Sequence, residues 1–314
     1  MTVSSYIIEA VQVMILLAAA PAFAGWVKTV KCRLQGRTYA GISQPYRDIS
    51  RLFAKDVIVA ENASWIFRIT PYIVFGVTVM IGGIIPLISI DLPFAATADV
   101  IALVMLFAIV RFFTALAGMD IGTAFGGMGS SREMTIASLA EPAMLMAIFT
   151  VSLATNTTSL PRMVHVIGHG ELVLRPSLAF ALLAYIMVHL TETGRVPVDN
   201  PATHLELTMI HEAMILEYSG RHLALIEWAG MMKLFIFSTL GIAVFCPWGI
   251  APSADPAALL TALAVLAVKL PLLGIVLVLI ETGLAKMRLF RLTEFLGSAF
   301  MLATLGMLSF FILE

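Results

Sequence analysis

The residues best suited to chemistry are carboxylates set where a chain usually avoids them. Glu141, Glu192 and Glu281 stand in or at the ends of long apolar runs. Asp199, Glu206, Glu212 and Glu217 follow one another inside a single polar segment, 195–222. An ionisable group inside a bilayer costs about 2.5–3.5 kcal/mol on insertion scales, so it is kept where it is paired, wetted or useful. A carboxyl surrounded by apolar helices can exchange a proton near neutral pH, and a series of them linked by water makes a proton route. That is the reading for Glu141, Glu192 and Glu281, whereas Glu9, Glu294 and Lys269 read as interfacial or structural charges. Glu227 and Lys233 are six residues apart, about 120° off-line on one helix, so each must look to another helix or to water. His204 and His211 add imidazoles to the segment 195–222. Position 215 is Ile, so His211-Glu212 does not open an HExxH zinc motif, and no metal site is expected. A proton-carrying or subunit-contacting face fits these residues better.

The elements that must position these groups are membrane helices. Of 314 residues, 60% are hydrophobic and 12% are charged, with 19 Lys+Arg against 20 Asp+Glu. That charged share is about half of what a soluble chain carries. The balance excludes a disordered chain, a basic nucleic-acid binder and a disulfide scaffold. Cys32 and Cys246 are far apart, so no cluster is expected on this chain's own thiols. Eight continuous apolar stretches are long enough to span a bilayer. They cover roughly 6–26, 66–90, 97–119, 136–155, 177–194, 223–249, 257–282 and 292–313. The fold expected is all-α, one integral membrane domain over 1–314 with eight transmembrane helices. Ala22-Phe23-Ala24 resembles a cleavage site, but residues 1–5 carry no Lys or Arg and Glu9 follows, so the first helix is expected to be retained.

Loop charge sets the orientation. The segments 27–65, 120–135, 195–222 and 283–291 hold 13 of the 19 basic residues, and the alternate loops hold Arg162 and Arg175. Arg68, Arg111, Lys233 and Lys269 fall within spans. The positive-inside rule places the basic loops in the cytoplasm and, with eight spans, both termini outside it. Two long loops result: a basic one at 27–65 and an acidic one at 195–222. In the second, Pro197 and Pro201 break the chain, and Asp199 or Asn200 can cap a short helix from about 202 to 217.

Four separated motifs on this inner side carry a resemblance. They are Gln44-Pro45-Tyr46-Arg47-Asp48-Ile49 with Arg51-Leu52-Phe53 and Lys55-Asp56; Gly118-Met119-Asp120 with Phe125-Gly126-Gly127-Met128-Gly129, Arg132-Glu133 and Glu141-Pro142; Glu192 to Asp199 with Glu206 and Glu217-Tyr218-Ser219-Gly220; and Glu281 with Lys286 and Arg288. In this order they resemble the eight-helix membrane subunit that joins the peripheral and membrane arms of respiratory complex I and of energy-converting [NiFe] hydrogenases. The stretch from Asp120 to Glu133 looks like the formate hydrogenlyase and hydrogenase-4 type. Complex I subunits usually carry three close glutamates where this chain has Ala202, His204 and Glu206, and the stretch to Glu217 is three residues longer. Those departures count against quinone chemistry.

The resemblance implies a subunit of an oxidoreductase complex that is not catalytic by itself, in the cytoplasmic (inner) membrane. It implies no cofactor on this chain. The partners implied are a small iron–sulfur subunit and a ferredoxin-like subunit with [4Fe-4S] clusters, a large subunit with the NiFe centre, and antiporter-like membrane subunits. Docking would fall to Arg33, Arg37, Gln44, Arg47, Asp48, Arg51, Lys55, Asp56, Arg132, Glu133, Arg195 and Tyr218. Proton (or Na+) movement would fall to Glu141, Glu192, Asp199, Glu206, Glu212, Glu217 and Glu281. The rival readings are a quinone-site subunit of an NADH:quinone oxidoreductase and a stand-alone secondary transporter. The second of these should show helices broken at mid-membrane and an internal repeat.

Overall fold

The computed structural model describes residues 3–38, 41–91, 93, 97–169, 175–199, 209–252, 255–285, 287 and 289–313. Among them every named element is a helix: α1 (Val3–Leu34), α2 (Gln44–Phe53), α3 (Trp65–Ile84), α4 (Val100–Asp120), α5 (Ala124–Thr155), α6 (Leu160–His169), α7 (Pro176–Glu192), α8 (His211–Ile215), α9 (Gly220–Phe245), α10 (Pro256–Gly283) and α11 (Leu289–Leu313). The all-α, multi-pass expectation is met, but its count of eight is not. Among the described residues seven helices are long and apolar enough to cross a membrane: α1, α3, α4, α5, α9, α10 and α11. The fifth expected span is α7, which is apolar but only 17 residues long. At 1.5 Å per residue it rises about 26 Å, short of a hydrocarbon core of about 30 Å.

Two polar segments expected as loops differ as well. The stretch 120–135 is mostly helix, because α5 starts at Ala124 and runs 32 residues, with the Thr123 side chain capping Gly126 N–H. Its glycines are packing surfaces. A Cβ on Gly126 would lie 2.2 Å from the Gly118 carbonyl oxygen, and one on Gly129 would lie 3.0 Å from that of Ile210. In 195–222 the described part is helical over His211–Ile215 and again from Gly220, where α9 starts; Asn200 to Thr208, with Glu206, lie outside the described residues. Asp199 caps this short helix from across the loop, its Oδ2 accepting from Ile210 N–H (3.2 Å) and His211 N–H (3.3 Å).

Helix α11 packs on α5 and α7, α3 on α4 and α9, and α1 on α9 and α10. Prolines inside helices strip a hydrogen bond from the carbonyl four residues back, and side chains from other elements replace it. Pro21 leaves the Leu17 carbonyl free, and Trp228 Nε1 donates to it at 3.2 Å. Pro71 does the same to Phe67, whose carbonyl takes the Tyr218 hydroxyl at 2.9 Å while the two rings stack 3.9 Å apart. Gln12, fully buried on α1, donates to the Ile85 carbonyl beyond the end of α3 and accepts from Leu87 N–H. Tyr218→Phe should therefore lower stability by about 1–3 kcal/mol, the cost of orphaning a buried carbonyl. Thermal unfolding in detergent measures it, and Phe keeps the stacked ring as a control.

Candidate functional site

Arg111 lies near the middle of α4 and is 5% exposed. A lone guanidinium there would be prohibitive, so carboxylates surround it. Its Nε is 3.2 Å from Glu133 Oε1 and its Nη1 is 2.6 Å from Glu141 Oε1, both on α5. Its Nη2 meets Glu192 Oε1 at the end of α7. The other Glu192 oxygen is 2.9 Å from Lys233 Nζ on α9. Arginine suits this place because its planar head points donors at several acceptors at once, which the point charge of a lysine does not. The network thus ties α4, α5, α7 and α9 together. Glu141 has 35% of its side chain exposed, whereas Glu133 and Glu192 have 3%.

His211 extends this network towards the loop. Its Nε2 is 3.5 Å from Glu133 Oε2 and its Nδ1 is 3.7 Å from Asp199 Oδ2. Burial opposes protonation of His211, but Glu133 and Asp199 outweigh it and hold its pKa above the ordinary histidine value. Burial works against the ionised form of Asp199 too, yet His211 and two backbone N–H groups keep its carboxyl below the usual range. Arg111, Glu133, Glu192, Asp199, His211 and Lys233 all line one cavity of about 310 Å³. A second cavity of about 430 Å³ lies against α2 and is lined by Asp48, Arg51 and Lys55. Lys28, Glu227 and Met231 line both, so the chamber and the groove along α2 share a wall.

A separate cluster stands nearby. Glu281 on α10 is 2.6 Å from Lys31 on α1 and 3.1 Å from Arg195 in the loop after α7. It pins that loop to two helices.

Of the seven carboxylates expected on a proton route, Glu141 and Glu192 meet at Arg111, and Asp199 reaches them through His211. Glu212 lines the same cavity. Glu281 belongs to its own cluster, Glu217 is exposed beyond the end of α8, and Glu206 lies outside the described residues. Among the docking residues, Arg33, Arg37, Arg47, Asp48, Arg51, Lys55 and Asp56 are exposed and Gln44 is half-buried. Four others already have partners within the chain. Glu133 is buried on Arg111, and Tyr218 is 5% exposed with its hydroxyl given to Phe67. Arg195 is held by Glu281, and Arg132 donates to the Met209 carbonyl at 3.1 Å.

Sequence reasoning missed Arg111 and Lys233 as functional residues, and it set His211 on a polar face without placing it between carboxylates. The first two carried a signal, a cation inside an apolar span, which demands a buried partner. Lys233 does find one on another helix, Glu192 of α7, as its spacing from Glu227 required. Among the described residues no group of three or more His, Cys, Asp or Glu is placed to hold a metal ion.

The fold and the site define a class: a multi-pass helical membrane subunit with a buried charge network under its polar loops. The pattern of the NADH dehydrogenase family matches residues 8–312, and this chain belongs to that family. It is 32% identical to formate hydrogenlyase subunit 4 of Escherichia coli (strain K12), over 89% of this chain and 90% of that one. It is equally 32% identical to hydrogenase-4 component C of the same organism, over 94% and 92%. NADH-quinone oxidoreductase subunit 8 of Rhodothermus marinus is 26% identical over 66% of this chain and 61% of its own length. In fold, the chain superposes on a chain of the membrane-bound sulfane sulfur reductase, an archaeal respiratory membrane complex. There the TM-score is 0.84 at 19% identity, covering 98% and 99% of the two chains.

Proposed function

We propose that this protein is the membrane anchor and coupling subunit of a [NiFe]-hydrogenase or formate hydrogenlyase-like complex, linking redox change in a seated iron–sulfur partner to proton (or Na+) movement. The observation that carries the reading is the Arg111 network. It begins at the loop residue Asp199, in the chamber that shares a wall with the α2 groove, and ends at the half-exposed Glu141 on α5. A change of charge near the loop is thereby felt deep among the helices. The similarity to two hydrogenase-complex subunits over nine-tenths of the chain supports the choice of complex. In this reading the exposed Arg33, Arg37, Arg47, Arg51 and Lys55 meet the iron–sulfur subunit, with the [NiFe] and ferredoxin-like subunits above it and antiporter-like subunits alongside. Helix α7 serves as an eighth crossing, since 17 residues lies at the short end of what spans and α7 packs against α5 and α11. Both termini then lie outside the cytoplasm.

A second reading, a quinone-site subunit, draws on one observation. The wall shared by the chamber and the α2 groove would let an amphiphile approach Arg111 from the membrane edge. The change of two expected glutamates to Ala202 and His204 weighs against it.

Purification in mild detergent tests the proposal. Nickel and iron should come down with this chain, whereas a lone functional transporter would sink it, and a bound quinone would favour the second reading. Within the complex, Glu192→Gln and Glu206→Gln should abolish ion movement while redox activity with soluble dyes survives. Unchanged coupling in both variants removes them from the route.

A further inference from the structure

His211 is placed between two carboxylates that belong to different parts of the molecule. Asp199 is on the loop, where it also caps α8. Glu133 is on α5 and belongs to the Arg111 network. Both ring nitrogens are shielded from solvent, and neither makes a hydrogen bond in the described structure; the same is true of Glu133 Oε2. Buried polar atoms are almost always satisfied, so three of them around one ring mark a place that exchanges partners or holds water. The separations of 3.5 Å and 3.7 Å close by a small side-chain movement or through one water.

The chemistry of imidazole decides what such a place can do. An imidazolium donates from both nitrogens and can serve both carboxylates. A neutral ring donates from one and turns a lone pair towards the other. Shifting the proton therefore changes which carboxylate is satisfied. The other charged groups around the ring work in opposite senses. Glu192 from α7 and Glu212 beside it, which line the same cavity, favour the protonated ring, and Lys233 from α9 and Arg111 from α4 oppose it.

We infer that His211 carries an exchangeable proton between Asp199 on the loop and Glu133 of the Arg111 network. A proton arriving at Nδ1 from the Asp199 side gives the imidazolium, and its Nε2 proton then passes to Glu133 Oε2. One proton has moved, the ring is neutral in its other tautomer, and tautomer exchange resets it. This step rests on the coupling reading, since it supplies the link from loop to network which that reading needs.

Infrared titration of the purified complex, with 13C-labelled histidine, tests the transfer without requiring ion movement. One imidazolium band should titrate together with a carboxylate band. Both should vanish in His211→Gln, and in Asp199→Asn the imidazole should titrate about one pH unit or more lower. A second arm uses turnover in proteoliposomes. His211→Ala should cut ion movement by about a hundredfold, the low side of what a positioned proton-transfer group contributes. Added imidazole, which can enter the enlarged cavity, should restore it. Survival of the paired bands in His211→Gln would overturn the proposal, as would a loss in His211→Ala that imidazole does not restore. If the unaltered complex moves no ion, the coupling reading fails and the infrared arm still decides the role of His211.

Discussion

Arg111→Met will destabilise the folded chain by about 3–5 kcal/mol, the usual result of removing one partner from a buried ion cluster. The wild-type network sets two cations, Arg111 and Lys233, against Glu133, Glu141 and Glu192. Glu141 can turn to its exposed side, but Glu133 and Glu192, each 3% exposed, cannot. Methionine fills the space and leaves Lys233 against Glu192 and only His211 beside Glu133. Arg111→Lys should fall between the two, because an ammonium reaches one or two of the three carboxylates that the guanidinium spans. The informative control is Arg111→Met combined with Glu192→Gln. Removing a cation and an anion together should recover a good part of the loss, since the cost lies in the unpaired charge rather than in the missing bond. Thermal unfolding in detergent reads all three variants. A single Arg111→Met variant that melts with the wild type would mean that the cluster contributes little to folding.

The cluster also shows where sequence reading stops. A cation inside an apolar span announces that a partner exists, but the partners of Arg111 lie 22, 30 and 81 residues away on two other helices. Nothing in local spacing selects them. Glu141 and Glu192 were legible because a carboxylate at a span end is costly wherever the chain goes. Their convergence on one guanidinium was not. The start of α5 was hidden for a different reason. Its buried face is built from Gly126, Gly129 and Ser130, residues that read as a loop because they supply no apolar stripe. Here small size is what the packing requires, since the α4 backbone and α8 approach too closely for a larger side chain. Tyr218 was read as a docking residue because it stands in one of the inner-side motifs that carry the resemblance. Pro71 was the overlooked clue: a proline inside a helix frees the carbonyl of Phe67, and a phenol from elsewhere is a suitable donor for it.

Gly220→Ala should be the most damaging change outside the charge network, and its effect should fall on the basic loop. Gly220 has φ +54°, a left-handed conformation that a side chain strains. A Cβ there would also lie 2.5 Å from the Asp56 carbonyl oxygen and 2.7 Å from that of Lys55, and backbone cannot step aside as a flexible side chain can. Strain of about 1–3 kcal/mol joins overpacking of about 1–3 kcal/mol, so roughly 2–6 kcal/mol is at stake. The chain relieves this most readily by releasing the segment at 55–58. One further local tie is Ser219, whose hydroxyl accepts from Ile58 N–H and donates to the Ile58 carbonyl, both at 2.8 Å. The Arg111 network shares no residue with this contact and should stay intact. Limited trypsin digestion in membranes should therefore cut Gly220→Ala at Lys55 well before wild type, and partner subunits should be lost on mild-detergent purification. Infrared bands of the buried carboxylates should be unchanged. Equal protection of Lys55 in the variant and the wild type would show that the loop is held by its other contacts, and would separate the Glu217-Tyr218-Ser219-Gly220 motif from partner docking.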